Sequence, residues 1–149
     1  MLRNVVTVTA LALFAFTGIA AAQTSPQTSP PASPPPFATR KVDGTDNVYI
    51  FRYMGHQSMF IVTPKGVNAT DPIGRFRPEA VTAYLAEIKK ITEQPVKYLI
   101  YSHAHFDHIA GGKPFKDQGA VIIAHKNAKA HFEWAKKQNA LLDSVVMPD

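Results

Sequence analysis

Ser102-His103-Ala104-His105-Phe106-Asp107-His108 follows an apolar run, Val96 to Tyr101, and leads into Gly111-Gly112. Three of the chain's six histidines and one carboxylate fall within six residues. In an extended segment, residues two apart project to the same side, so His103 and His105 can converge on one metal ion. Asp107 and His108 come where the chain must turn, and can face back towards a second. Neutral imidazole and carboxylate suit Zn²⁺, Fe or Mn²⁺ much better than Ca²⁺ or Mg²⁺, and zinc is the first expectation. The alternative is a solvated His-rich turn, against which stand four potential ligands at the mouth of one apolar strand.

Outward from this stretch, the chain reads as strands and helices in turn. Val48-Tyr49-Ile50-Phe51 and Met59-Phe60-Ile61-Val62 are short runs of β-formers separated by polar Gly55-His56-Gln57-Ser58. Pro64-Lys65-Gly66 supplies a turn, and a third strand, Val67 to Thr70, delivers Asp71 ahead of the breakers Pro72 and Gly74. Val81, Tyr84, Leu85, Ile88 and Ile91 stand at helical spacing between Pro78 and Thr92. Val96 to Tyr101 is a fourth strand and Ala120 to Ala124 a fifth. Asn127 to Gln138 is a second helix, with Ala128, Phe132 and Ala135 on its inner face. Strands alternating with helices after a β-meander predict an α/β layered domain.

The first 38 residues of the 149-residue chain are expected to lie outside the folded part. Arg3 precedes an apolar stretch from Val5 to Ala22 that ends in Ala20-Ala21-Ala22, the order of a secretory signal cleaved after residue 22. Residues 23–38 read QTSPQTSPPASPPPFA, and six of the 12 prolines lie between Pro26 and Pro36. Such a tract is an extended spacer. The folded part is thus expected from Thr39 to Asp149, in a periplasmic or secreted protein that meets the membrane only through its signal. The net charge of +5 is ordinary, and no Lys/Arg run exceeds two, so no nucleic-acid groove is expected. The absence of cysteine excludes disulfides, thiol nucleophiles and thiolate-held metals.

His103-Ala104-His105-Phe106-Asp107-His108 resembles the HxHxDH motif of the metallo-β-lactamase-fold hydrolases. The likeness extends over about Arg40 to Pro148: the run from Asn47 through Val62 to Thr70-Asp71 is similar to that family's opening meander, and a helix and strand precede His103 in the family's order. The resemblance implies the N-terminal half of an αββα sandwich. It makes His103 and His105 ligands of a first ion, Asp107 and His108 ligands of a second, and Asp71 a partner that orients a ligand from beneath the site. Asp107 would also orient the attacking water. Two Zn²⁺ per complete domain are implied, with Fe admissible. Metal-assisted hydrolysis of a small-molecule ester, lactam, thioester or sulfate ester then follows.

The family's later His and Asp ligands have no counterpart in this sequence, so the chain is expected to be a fragment, inactive alone. Its sheet would lack an opposing layer over residues from Phe60-Ile61-Val62 and Leu99-Ile100, leading to instability or self-association. The runner-up readings are a non-catalytic metal-binding remnant and an iron-dependent sulfur dioxygenase of the same fold. Among other residues, His56 is expected in a loop bordering a cleft, His125 as a helix cap or packing residue, His131 as structural or exposed, and Trp134 in core or helix–sheet packing. Asn68-Ala69-Thr70 matches a glycosylation sequon but falls in a predicted strand.

Overall fold

Alternating large apolar residues build a single sheet. The computed structural model describes residues 35–138 and 145–149; the expected signal, residues 1–22, and nearly all of the spacer lie outside them. The strands are β1 (Phe37–Lys41), β2 (Val48–Tyr53), β3 (His56–Thr63), β4 (Gly66–Thr70), β5 (Val96–Ile100) and β6 (Val121–Ile123). They lie side by side in chain order. The first four form an antiparallel meander, whereas β5 runs parallel to β4 and β6 parallel to β5. Parallel neighbours need a crossover, and α1 (Pro78–Ile91) supplies the one between β4 and β5. Two short helices, α2 (Phe106–Ile109) and α3 (Lys113–Asp117), connect β5 to β6, and α4 (Ala128–Gln138) follows. The α/β layered class is therefore the observed one.

The core lies on one face of the sheet. α1 buries Ala80, Val81, Tyr84 and Ile88, a stripe with the spacing of a helix face. Tyr84 is its centre: its ring stacks on Phe51 at 4.6 Å and meets Phe60 at 6.0 Å and Phe115 of α3 at 5.7 Å. Its hydroxyl donates to the Met59 carbonyl at 2.8 Å, so the buried oxygen is satisfied. Ile91, expected on this stripe, is instead partly exposed at the helix end.

The strand period of two assigns the rest to the opposite face. Ile50, Met59, Ile61, Ile100, Val121 and Ile123 point there, and no helix of the described residues covers them; Met59, Val121 and Ile123 are 38–40% exposed. Of the residues expected on an uncovered face, Ile61 and Ile100 are indeed there. Phe60 and Leu99 are fully buried under the helices.

Three expectations need correction. β1 was missed and begins at Phe37, inside the expected spacer; the Phe37 ring stacks parallel to Tyr53 at 6.4 Å, and strand starts tolerate a preceding Pro run. His56 is the first residue of β3, paired with Tyr53, where a loop was predicted. Trp134 is 66% exposed, not packed. Phe132 takes the inner side of α4 against Tyr101, ring centroids 5.8 Å apart, and a residue two positions on faces the other way.

Candidate metal centre

Parallel strands end together, and the site forms at the carboxyl ends of β4 and β5. Asp71 follows β4 directly, and the Ser102–His108 segment follows β5. The Asp71 N–H donates to the Ile100 carbonyl at 3.1 Å, which extends the β4–β5 ladder to the site. Asp71 is buried, and its backbone is held at φ 31°. The Ser58 hydroxyl donates to the Asp71 carbonyl at 2.5 Å, which fixes this strained residue.

Two glycines bring the loop after Asp71 against the turn after His108. A Cβ on Gly74 would meet Val81 Cγ2 at 2.7 Å and the Ala110 carbonyl at 2.9 Å. One on Gly111, at φ +92°, would meet Val81 Cγ2 at 2.6 Å and Gly74 Cα at 3.0 Å. The close approach lets the Ile73 N–H donate to the His108 carbonyl at 3.2 Å and the Gly74 N–H to that of Ala110 at 2.8 Å.

The structure places His103, His105, Asp107 and His108 near one another, but the three ligand atoms that converge belong to Asp71, His103 and His108, whereas the sequence reading put His103 and His108 on different ions. Ring centroids of His103 lie 4.6 Å from His105 and 4.3 Å from His108, and His108 Nε2 is 3.9 Å from Asp107 Oδ2. The hydrogen bonds decide which ring nitrogens are available. His108 Nδ1 lies 3.0 Å from Asp71 Oδ2. An ionised carboxylate only accepts, so Nδ1 carries the proton and Nε2 keeps its lone pair. Ser102 Oγ donates to Asp71 Oδ2 at 2.5 Å, so its single proton is spent there. It must accept from His103 Nδ1 at 2.8 Å, which leaves His103 Nε2 bare as well. The Ser102 N–H donates to Asp71 Oδ1 at 2.8 Å.

Asp71, His103 and His108 each place a ligand atom within 4.8 Å of the others, a possible His/Asp metal site. Asp71 already accepts three hydrogen bonds, which suits it to orienting the histidines better than to direct ligation. The donor set of imidazole nitrogen and carboxylate oxygen fits a borderline divalent cation.

Burial would raise the Asp107 carboxyl, but hydrogen bonds from its own backbone and from His56 outweigh it and hold its pKa below the usual range. A cavity of about 200 Å³ beside it is lined by His56, Ile73, Arg75, Phe76, Arg77 and Asp107. A larger one, about 440 Å³, lies where α1 ends and β5 begins and contains none of these groups. Sequence reading passed over Ser102 and Arg77, whose roles depend on contacts made only in the folded chain. His125 accepts a 3.3 Å hydrogen bond from the Asn127 N–H in the turn before α4, and His131 is exposed.

Comparison with known proteins places the chain in a family. Residues 70–144 match the metallo-beta-lactamase superfamily, half of the chain, and the chain belongs to that superfamily. It is 39% identical over 62 residues to a linear primary-alkylsulfatase from Pseudomonas sp., a match spanning 42% of this chain and 10% of that protein. Among solved structures it is similar to the native FEZ-1 metallo-beta-lactamase from Legionella gormanii, with TM-score 0.59 and 25% identity over 78% of this chain and 45% of the other. A metallo-beta-lactamase from Pontibacter korlensis gives TM-score 0.57 and 22% identity over 76% and 51%. The chain thus spans about half the length of these structures and a tenth of the alkylsulfatase.

Proposed function

We propose that this chain carries half of a dinuclear zinc centre of an exported metal-dependent hydrolase. The observation that carries the reading is the pair of bare Nε2 atoms, on His103 and His108, held ready by Ser102 and Asp71. His103 and His105 would hold one ion, Asp107 and His108 the other, with Asp71 as positioning partner and Fe as the admissible substitute. Divalent cations there would lower the pKa of a water and polarise the scissile centre. Asp107, kept ionised by its neighbours, would accept a hydrogen bond from that water and orient it.

A catalytic zinc ordinarily has three protein ligands, and each site here has two. Hydrolysis is therefore assigned to the whole protein in which both sites are completed. Its substrates would be small-molecule esters, lactams, thioesters or sulfate esters, and the alkylsulfatase similarity favours the last. Arg3, the apolar run and Ala20-Ala21-Ala22 support export to the periplasm or beyond.

Zinc content after reconstitution tests the centre. The chain should retain zinc through gel filtration, and the His103→Ala/His105→Ala variant should lose part of it. Equal retention by both would overturn the assignment. Intact mass of the exported protein should correspond to a chain starting at Gln23.

A further inference from the structure

His56 contacts the centre from another strand, with its proton on the opposite nitrogen. Arg77 Nη1 approaches His56 Nδ1 at 3.3 Å, and His56 Nε2 lies 3.1 Å from Asp107 Oδ2. A guanidinium has only donors, so Nδ1 must present a lone pair to it. The ring proton therefore sits on Nε2 and is donated to the Asp107 carboxylate. His103 and His108 carry theirs on Nδ1. One small region thus holds histidines of both tautomers, two with Nε2 bare and one with Nε2 committed.

We infer that His56, with its tautomer set by Arg77, is a positioning residue that holds the Asp107 carboxylate in its ligating orientation. The inference rests on the metal reading of Asp107 given above. Asp107 belongs to a four-residue helix, and its side chain is about one-third exposed. The second anchor comes from β3, 51 residues away in sequence. Tied through Oδ2 to His56, the carboxylate keeps that oxygen 3.9 Å from His108 Nε2 and has its remaining lone pairs for an ion or a water. Arg77 is itself fixed in place, preceding Pro78 at the start of α1, with its N–H donating to the Gly74 carbonyl at 3.1 Å. No carboxylate lies within ion-pair distance of Arg77 among the described residues, so its contact with His56 is not shared with an acid.

Two substitutions separate positioning from mere packing. His56→Gln keeps an N–H donor at the position of Nε2 and can still reach Asp107. His56→Asn keeps an acceptor near Nδ1 for Arg77 but is too short to reach the carboxylate. Zinc affinity and stoichiometry by equilibrium dialysis should fall about 10–100-fold at one of the two ions in His56→Asn, the range for losing a group that orients a ligand, and stay near wild type in His56→Gln. Long-range ¹H–¹⁵N NMR of the metal-free chain should show His56 as the Nε2–H tautomer, and Arg77→Met should mix the two forms.

An Nδ1–H tautomer for His56, zinc binding by His56→Asn equal to wild type, or equal loss in both variants would overturn the inference. A wild-type chain that takes up no zinc while His56 is in the Nε2–H form would overturn the metal reading, and the positioning role with it.

Discussion

Asp71 accepts from a backbone N–H, a hydroxyl and an imidazole at once. Asparagine has the same shape, yet its amide nitrogen cannot accept from Ser102 Oγ or His108 Nδ1. Asp71→Asn should therefore fold and lose zinc affinity about 10–100-fold, measured by competition with a chromophoric chelator. Unchanged affinity would show that His108 is oriented by something else. The nearness of His103, His105, Asp107 and His108 depends on local spacing, which the strand–turn geometry converts into proximity, whereas the convergence of His103 and His108 on Asp71 is made only by the fold. Asp71 was legible only through family likeness. The pairing of Arg77 with His56 and of His56 with Asp107 joins residues 21 and 51 positions apart, and no local pattern encodes such contacts.

Among the elements, those with a long periodic pattern were readable and the short ones were not. The stripe of α1 and the apolar runs of β2 to β5 stand out by period. α2 and α3 have four and five residues, too few to display one. β1 is hidden in sequence by the proline tract that precedes it, although Phe37 anchors it through Tyr53. The packing of the loop after β4 on the turn after α2 depends on Gly74 and Gly111. Gly111→Ala adds a Cβ at positive φ and 2.6 Å from Val81 Cγ2. Unfavourable backbone and overpacking together should destabilise by about 2–4 kcal/mol in denaturant titration. Adding Val81→Ala should relieve the steric part, so the double mutant should be less destabilised than the sum of the two singles. Strict additivity would mean that backbone conformation alone sets the loss.

At the scale of the whole molecule, one face of the sheet is closed by helices and the other is left uncovered by the described residues. We predict that the chain self-associates through the open face, and that Ile123→Glu, at a 39% exposed position on edge strand β6, shifts sedimentation towards monomer without loss of circular dichroism. The closed face has a different dependence on conditions. Burial raises the pKa of both Tyr84 and Tyr101 well above the ordinary tyrosine value. The unfolded chain would ionise both near pH 10 while the folded chain keeps them neutral. Stability is then fully present below pH 10 and is lost above it, by about 1.4 kcal/mol per pH unit for each tyrosine. Urea midpoints should be flat towards pH 9 and fall steeply beyond 10; Tyr84→Phe should flatten that fall.

The side-by-side order of the strands bears also on how the molecule comes to exist. Each strand pairs with its predecessor in the chain, so every ladder closes a short loop except those spanning a crossover, and loop-closure entropy stays small for the amino-terminal meander. The sheet can therefore grow in the order of synthesis, β1 to β4 first. The ends of β4 and β5 meet only after α1 has folded back, and Asp71 gains Ser102 and His108 at that moment. In refolding, sheet signal should precede competence to bind zinc. On this order the centre would be the late-forming part of the structure.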